Sequence, residues 1–163
     1  MSKATCLGDI ATAAARNLLG NRCFGSGLLA ISAVSAAKVK TVTNTIAYTI
    51  DGQIYTLAPT DNIAFTTLTV QPVSTTCYYA VVVNAAGTPS IINGTPVLTA
   101  SITAGTDKAL LPEVPGTQCI IGAVKVETDS THTFTPATTE LSAAGITDTY
   151  YNLSCAPAAG FPA

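Results

Sequence analysis

His132 is the only histidine in the chain, and any Ser-His-Asp or Cys-His catalytic arrangement must use it. It stands in a polar turn between Thr131 and Thr133, where a solvated loop residue is expected. No G-x-S-x-G elbow exists to present a nucleophilic serine, and Gly25-Ser26-Gly27 lacks the strand–turn–helix context such an elbow needs. Glycoside hydrolysis requires two carboxylates facing each other across a sugar. The acids are scattered, and spacing singles out no pair; Asp51 reads as a hairpin turn and Glu140 as a loop residue. The five cysteines (Cys6, Cys23, Cys77, Cys119, Cys155) include no C-x-x-C spacing, so a structural zinc site is not expected. Cys77 and Cys119 lie inside apolar runs, where a reduced thiol behaves as a small hydrophobe. Buried free thiols are therefore expected, with a Cys6–Cys23 pair or an intersubunit bridge as the alternative. Gly87-Thr88-Pro89 and Gly94-Thr95-Pro96 are turn chemistry without the lysine of a phosphate loop. Six tyrosines offer flat faces with polar tips, suited to sugar platforms or subunit contacts. Basic residues are not interleaved with them, which argues against nucleic acid. No catalytic residue, metal ligand or cofactor is expected, and the chain reads as a non-enzyme.

The elements that carry these residues are drawn from an unusual composition. Only 10% of the 163 residues are charged, while 48% are hydrophobic. Threonine, at roughly one residue in six, must supply much of the polar surface that ions supply in an average domain. The few charges are sorted by position. Residues 1–50 carry Lys3, Arg16, Arg22, Lys38 and Lys40 against Asp9 alone, a net of +4. Residues 51–163 carry two lysines against eight acids, a net of −6. Such a split fits an arm and a body with different partners, with a scatter of solvated charges as the alternative. The overall −2 is too small to draw the whole molecule to nucleic acid or to an anionic membrane.

Asp9 is placed to cap a helix whose residues Ile10, Ala13, Ala14 and Leu18 share a face, with Arg16 toward its negative end and Gly20 as its stop. At about 11 residues this helix needs something to dock on. The run Gly27–Ala37 ends like a signal-peptide cleavage site, but it lies deep in the chain and is too short to span a bilayer. A first buried strand or a subunit-contact segment is expected there. From about Lys38 the period becomes two. Thr45–Ile50 and Gln53–Ala58 flank Asp51-Gly52, a favoured pair for a type I′ hairpin. Cys77–Val83 and Gln118–Val126 are apolar on both faces and read as central strands. Asn84-Ala85-Ala86-Gly87 turns the first of them into a weaker strand near Ile91-Ile92, and Tyr150–Leu153 reads as the last strand. Prolines 59, 72, 89, 96, 112, 115 and 136 fall between the runs. The expected fold is mainly β, an antiparallel sandwich or barrel of about eight strands with a short N-terminal helix or arm. Its parts are residues 1–37 as helix and arm, 38–155 as the β domain and 156–163 as a tail.

The runs YTIDGQIYTLAPTDNIAFT (48–66), YYAVVVNAAGTPSIING (78–94) and LPEVPGTQCIIGAVKVETDSTHTFTPATTELSAAGITDTYYNLS (111–154) occur in that order. They carry a Y-x-I-D-G hairpin, a strand closed by Asn-Ala-Ala-Gly, a Leu-Pro-x-x-Pro bend and a closing L-x-A-A-G-I-T-x-T-Y segment. This pattern resembles small virion proteins of tailed bacteriophages, of the capsid decoration (cement) or head-fibre type. The resemblance implies a β domain, usually a homotrimer, held on the outer surface of an icosahedral capsid by an arm or base. Its partners would be the major capsid protein and further copies of itself, with no nucleic acid or membrane involved. Capsid or subunit contacts are then expected at Ile10, Ala14, Arg16, Leu18, Arg22, Lys38 and Lys40. A receptor- or carbohydrate-binding module of a phage fibre or bacterial surface is the alternative function.

Overall fold

The computed structural model describes residues 20–42, 45–65 and 69–153. The clearest local rule is met at Asp51-Gly52, where both residues are left-handed (φ 50° and 74°), as a type I′ turn requires. Ten strands are formed among the described residues, two more than expected. The turn sets the register of β4 (Ile46–Ile50) on β5 (Gln53–Leu57), with Ile50 opposite Gln53 and Ile46 opposite Leu57. Ile46, Tyr48 and Ile50 therefore share one face, and all three are buried. Tyr48 lies opposite Tyr55 and stacks on it, ring centroids 5.6 Å apart. A short β1 (Arg22–Cys23) adds to the other side of β4, completing a three-stranded sheet.

β6 (Thr75–Asn84) is the spine of a five-stranded sheet. It pairs on one side with β9 (Gln118–Thr128) and on the other with β7 (Pro89–Asn93) and β8 (Val97–Leu98). β10 (Ile146–Asn152) lies on the far side of β9. Nine of the ten β6 residues are buried, which is why its sequence shows no alternation. Its odd residues Cys77, Tyr79, Val81 and Val83 enter the main core, while Tyr78, Ala80 and Val82 are buried on the opposite face. A bulge at Val81/Val82 shifts the β6–β9 register. Pro89, expected between strands, instead opens β7, a position at the sheet edge that a residue without an N–H tolerates. The last strand begins at Ile146 rather than Tyr150, because the Thr/Asp-rich stretch before the tyrosines also pairs with β9. The single described helix, α1 (Thr99–Thr103), is one short turn following β8.

A two-stranded sheet of β2 (Leu29–Ile31) and β3 (Val39–Thr41) completes the set. All three sheets are antiparallel, and none closes into a barrel among the described residues. They contribute to one hydrophobic cluster, which includes Cys23 and Leu29 as well as Val39, Ile46, Tyr79 and Val124. Residues 22–31 are thus packed into the body, and the expected boundary at 37/38 falls between the two strands of one ladder. Gly122 allows this docking. A Cβ there would collide with the Leu29 side chain and lie 2.8 Å from the Tyr151 carbonyl.

At the heart of the core, Phe65, Tyr79 and Phe134 meet edge to face, with centroids 5.2–5.8 Å apart. Beside them sits a fully buried Gln71. Its Nε2 donates to the carbonyls of Thr75 (3.1 Å) and Val126 (3.0 Å), and its Oε1 accepts from the Tyr79 hydroxyl at 2.9 Å. Its backbone exchanges a pair of bonds with Phe134. Cys77 and Cys119 are buried and reduced, as expected for small apolar fillers. Burial pushes their thiols up to about 11 and about 12 respectively. Cys23 is buried too, its Sγ donating to the Gly25 carbonyl at 2.9 Å. Cys6 and Cys155 lie outside the described residues.

Candidate contact surface

Of the expected contact residues, Ile10, Ala14, Arg16 and Leu18 lie outside the described residues, as does the helix that would carry them. Arg22, Lys38 and Lys40 are placed. Arg22 is exposed on β1, where its N–H donates to Thr49 Oγ1 at 3.1 Å. Neighbouring Asn21 braces this strand against two others: its Nδ2 donates to the carbonyls of Gly116 (2.6 Å) and Gln118 (2.9 Å), and its Oδ1 accepts from Asp51 N–H (2.9 Å). Lys38 and Lys40 alternate with the buried Val39 and Thr41 and so face outward from β3. The structure places Lys40 on β3 and Lys38 in the turn just before it, and leaves Arg22 on a different sheet.

The turn between β2 and β3 is organised by Ser32. Its hydroxyl oxygen accepts from the N–H groups of Val34 (3.2 Å) and Ser35 (3.3 Å), and its own N–H donates to the Lys38 carbonyl (2.9 Å). Leu141 N–H clamps the turn from outside by donating to Ala36 O at 2.9 Å. Asp61 lies against it. A hydrogen bond from the Ser32 hydroxyl, then the N–H groups of Asn62 and Ala33 and the charge of Lys40, hold its carboxyl below the usual carboxylate range.

Sequence reasoning missed the apolar residues that this segment exposes. Phe24, Leu28, Val34 and Val42 all face solvent, Val34 at 74%. The run Gly27–Ala37 was expected as a buried strand or contact segment, and only three of its residues form strand. Leu28 is left-handed at φ 47°, uncommon for a bulky residue, and that turn throws its side chain outward. A proline-free apolar run gives no signal of such a kink.

Two other features bear on function. A cleft of about 600 Å³ lies between the end of β7 and the loop 107–113, walled by Ile92, Val97 and Leu111, with Asp107, Lys108 and Glu113 around it. The second is the pair His132–Asp129, which lies in the β9–β10 connection. Asp129 accepts from the N–H groups of Thr131 (2.8 Å) and His132 (2.7 Å), and His132 Nδ1 sits 2.9 Å from its carboxylate. The Thr131 N–H first, then the His132 ring, hold the Asp129 carboxyl far below its ordinary value. Its folded pKa is depressed relative to the unfolded chain, so the stabilisation is complete above about pH 4 and lost as pH falls toward the folded value. The melting temperature of the native chain should therefore exceed that of Asp129→Ala at pH 6, and the gap should narrow steadily on acidification from about pH 4 toward pH 2. A gap independent of pH would show the carboxylate charge to be irrelevant. Both side chains are about half exposed, and the Thr131 hydroxyl joins them, 2.9 Å from His132 Nδ1 and donating to Asp129 Oδ1 at 3.1 Å.

Among the described residues no group of three His, Cys, Asp or Glu side chains could hold a metal ion. No helix there is long and apolar enough to cross a membrane. Tyr48, Tyr78 and Tyr79 are fully buried and present no face to a sugar. Tyr48 instead donates its hydroxyl to the Asn84 carbonyl at 2.8 Å. Comparison with protein-family models, with curated proteins and with solved structures finds no match for this chain.

Proposed function

We propose that this protein is a structural virion component, a capsid decoration or cement protein that binds the outer surface of a phage head and stabilises the shell. The observation that carries this reading is the segment 22–42. It holds Arg22, Lys38 and Lys40 with no acidic residue, and it exposes Phe24, Leu28, Val34 and Val42, four of the nine large apolar side chains exposed among the described residues. A cationic surface with apolar side chains held in a braced turn suits a protein contact more than a solvated face. In this reading the three-stranded and five-stranded sheets act as the two layers of a sandwich, and copies pack around a three-fold axis. The major capsid protein is the partner. Many equivalent sites on a shell would let weak single contacts act together.

The test is binding of the purified protein to shells that lack it. Because β1 begins at Arg22, a truncation that removes the expected helix must stop at residue 19 to leave the body intact. Deleting residues 1–19 should abolish shell binding while the remaining chain stays folded by circular dichroism. Full decoration by the truncated chain would refute the role of the arm. A glycan array provides the contrast with a carbohydrate-binding module: a cement protein shows no saturable sugar binding.

A further inference from the structure

Two of the buried thiols, Cys23 and Cys119, come together where β1 meets the five-stranded sheet. Asn21, just ahead of β1, donates to the carbonyls of Gly116 and Gln118, and β1 itself packs along β9. Cys23 closes β1, and Cys119 follows Gln118 on β9. In the β1–β4 register Cys23 stands opposite Tyr48, so their side chains share a face, and both enter the core. Tyr48 reaches Cys119 from the other direction. Its hydroxyl ends at the Asn84 carbonyl, and Asn84 adjoins Val83, which stands opposite Cys119 in the β6–β9 register. Electrostatics agrees with this placement. Beyond burial, the Cys119 sulfur raises the Tyr48 hydroxyl and the Cys23 sulfur raises the Cys119 thiol, effects that act over about 4–6 Å. Cys77 is not part of the group, since its thiol is bonded with the Tyr79 hydroxyl.

We infer that Cys23 and Cys119 are a disulfide-forming pair, closed by a small-molecule disulfide of the oxidised-glutathione class. Cys23 reacts first. It sits on a two-residue strand at the start of the described body, and such marginal elements open most readily. Lifting β1 breaks the bond from Cys23 Sγ to the Gly25 carbonyl and uncovers both thiols. Cys23 loses its proton to water, and its sulfur attacks one sulfur of the reagent. The reagent's S–S bond breaks, and one reagent thiolate leaves and takes up a proton. With β1 still lifted, Cys119 loses its proton to water, attacks the Cys23 sulfur and displaces the second reagent thiolate, which is protonated in turn. Two protein thiols are oxidised, and one reagent disulfide is reduced to two thiols. The scarcity of the Cys119 thiolate makes the second step slow. The new bond ties the chain entering from the N-terminus to the larger sheet and closes a loop of roughly 100 residues. It concerns the body alone and is independent of the decoration reading.

The test is peptide mapping of the full-length protein without reductant, after incubation with oxidised glutathione at about pH 8, alkylation in denaturant and digestion with trypsin. Cleavage after lysine and arginine leaves each of the five cysteines on a peptide of its own, so the pairing reads directly. Residues 23–38 and 109–125 should appear joined, two hydrogens lighter than their sum, and should separate with dithiothreitol. The joined protein should melt about 5–15 °C above the reduced one. Cys119→Ala should lose both the cross-link and the rise; the wild-type map decides the matter even where that variant fails to fold. Recovery of the two peptides separately alkylated would overturn the inference, as would residues 23–38 joined to the Cys6 peptide, 4–16. So would a joined protein that melts no higher than the reduced chain, because the bond then does not fit the native core.

Discussion

Gln71→Ala should lower the stability of the folded chain by about 2–4 kcal/mol, among the largest losses for any single side chain outside the apolar core. Gln71 is fully buried and uses both ends of its amide. Truncation removes donors from the carbonyls of Thr75 and Val126 and the acceptor from the Tyr79 hydroxyl, and it leaves a hole beside three packed rings. The Thr128 hydroxyl, 2.7 Å from Pro72 O, has a single proton, which can turn to Thr75 O at 3.2 Å because Thr75 Oγ1 also donates to Pro72 O. This holds the cost below that of three orphaned groups. Tyr79→Phe removes the bond to Oε1 and the hydroxyl's hydrogen bond with the Cys77 thiol, and should cost about 1–2 kcal/mol. Because the two side chains share the bond to Oε1, the double variant should cost less than the sum of the singles. Urea unfolding of the four proteins measures this directly, and a Gln71→Ala protein within about 0.5 kcal/mol of wild type would show that the amide does not hold the core.

Gly94→Ala is the second large effect. A Cβ at this position would collide with the Tyr78 carbonyl oxygen and lie 3.3 Å from that of Leu110. Both obstacles are backbone, so no rotamer change relieves them. Gly94 N–H also donates to Tyr78 O at 2.9 Å, a bond that any outward shift would lengthen. Overpacking of this kind costs about 1–3 kcal/mol, with about 1 more for the strained hydrogen bond. Gly116→Ala is the matched control, since nothing lies within 4 Å of its Cβ position, and it should change stability by no more than about 0.5 kcal/mol. Equal melting temperatures for the two variants would contradict the close approach of β6, β7 and the loop at Leu110.

The contrast between these residues explains what was legible in the sequence. The Asp51-Gly52 hairpin and the two central strands follow from local rules: a pair of left-handed turn residues, and apolar runs too short for helices. β1 and β8, two residues each, carry no pattern of their own, because their partners β4 and β6 decide that they are strands. Gln71 stands beside Pro72 in what reads as a loop, and only the fold reveals that two strands, β6 and β9, converge on its amide. The candidate surface divides in the same way. Lys38 and Lys40 stand out by charge sorting, but the exposure of Leu28 follows from its own left-handed backbone and that of Val34 from the turn held by Ser32. The long closing strand was half seen, since Tyr150 and Tyr151 look like strand while the Thr-rich stretch before them looks like turn.

The buried thiols give the body one further property. Cys77 and Cys119 hold their protons far above physiological pH, up to about 11 and about 12, and neither is open to solvent. Oxidants and disulfide exchange act on the thiolate, and at these two sites that form is scarce and walled in. That protects Cys77 in a reducing and an oxidising medium alike, whereas Cys119 has the buried Cys23 for a neighbour, near enough to raise its thiol further.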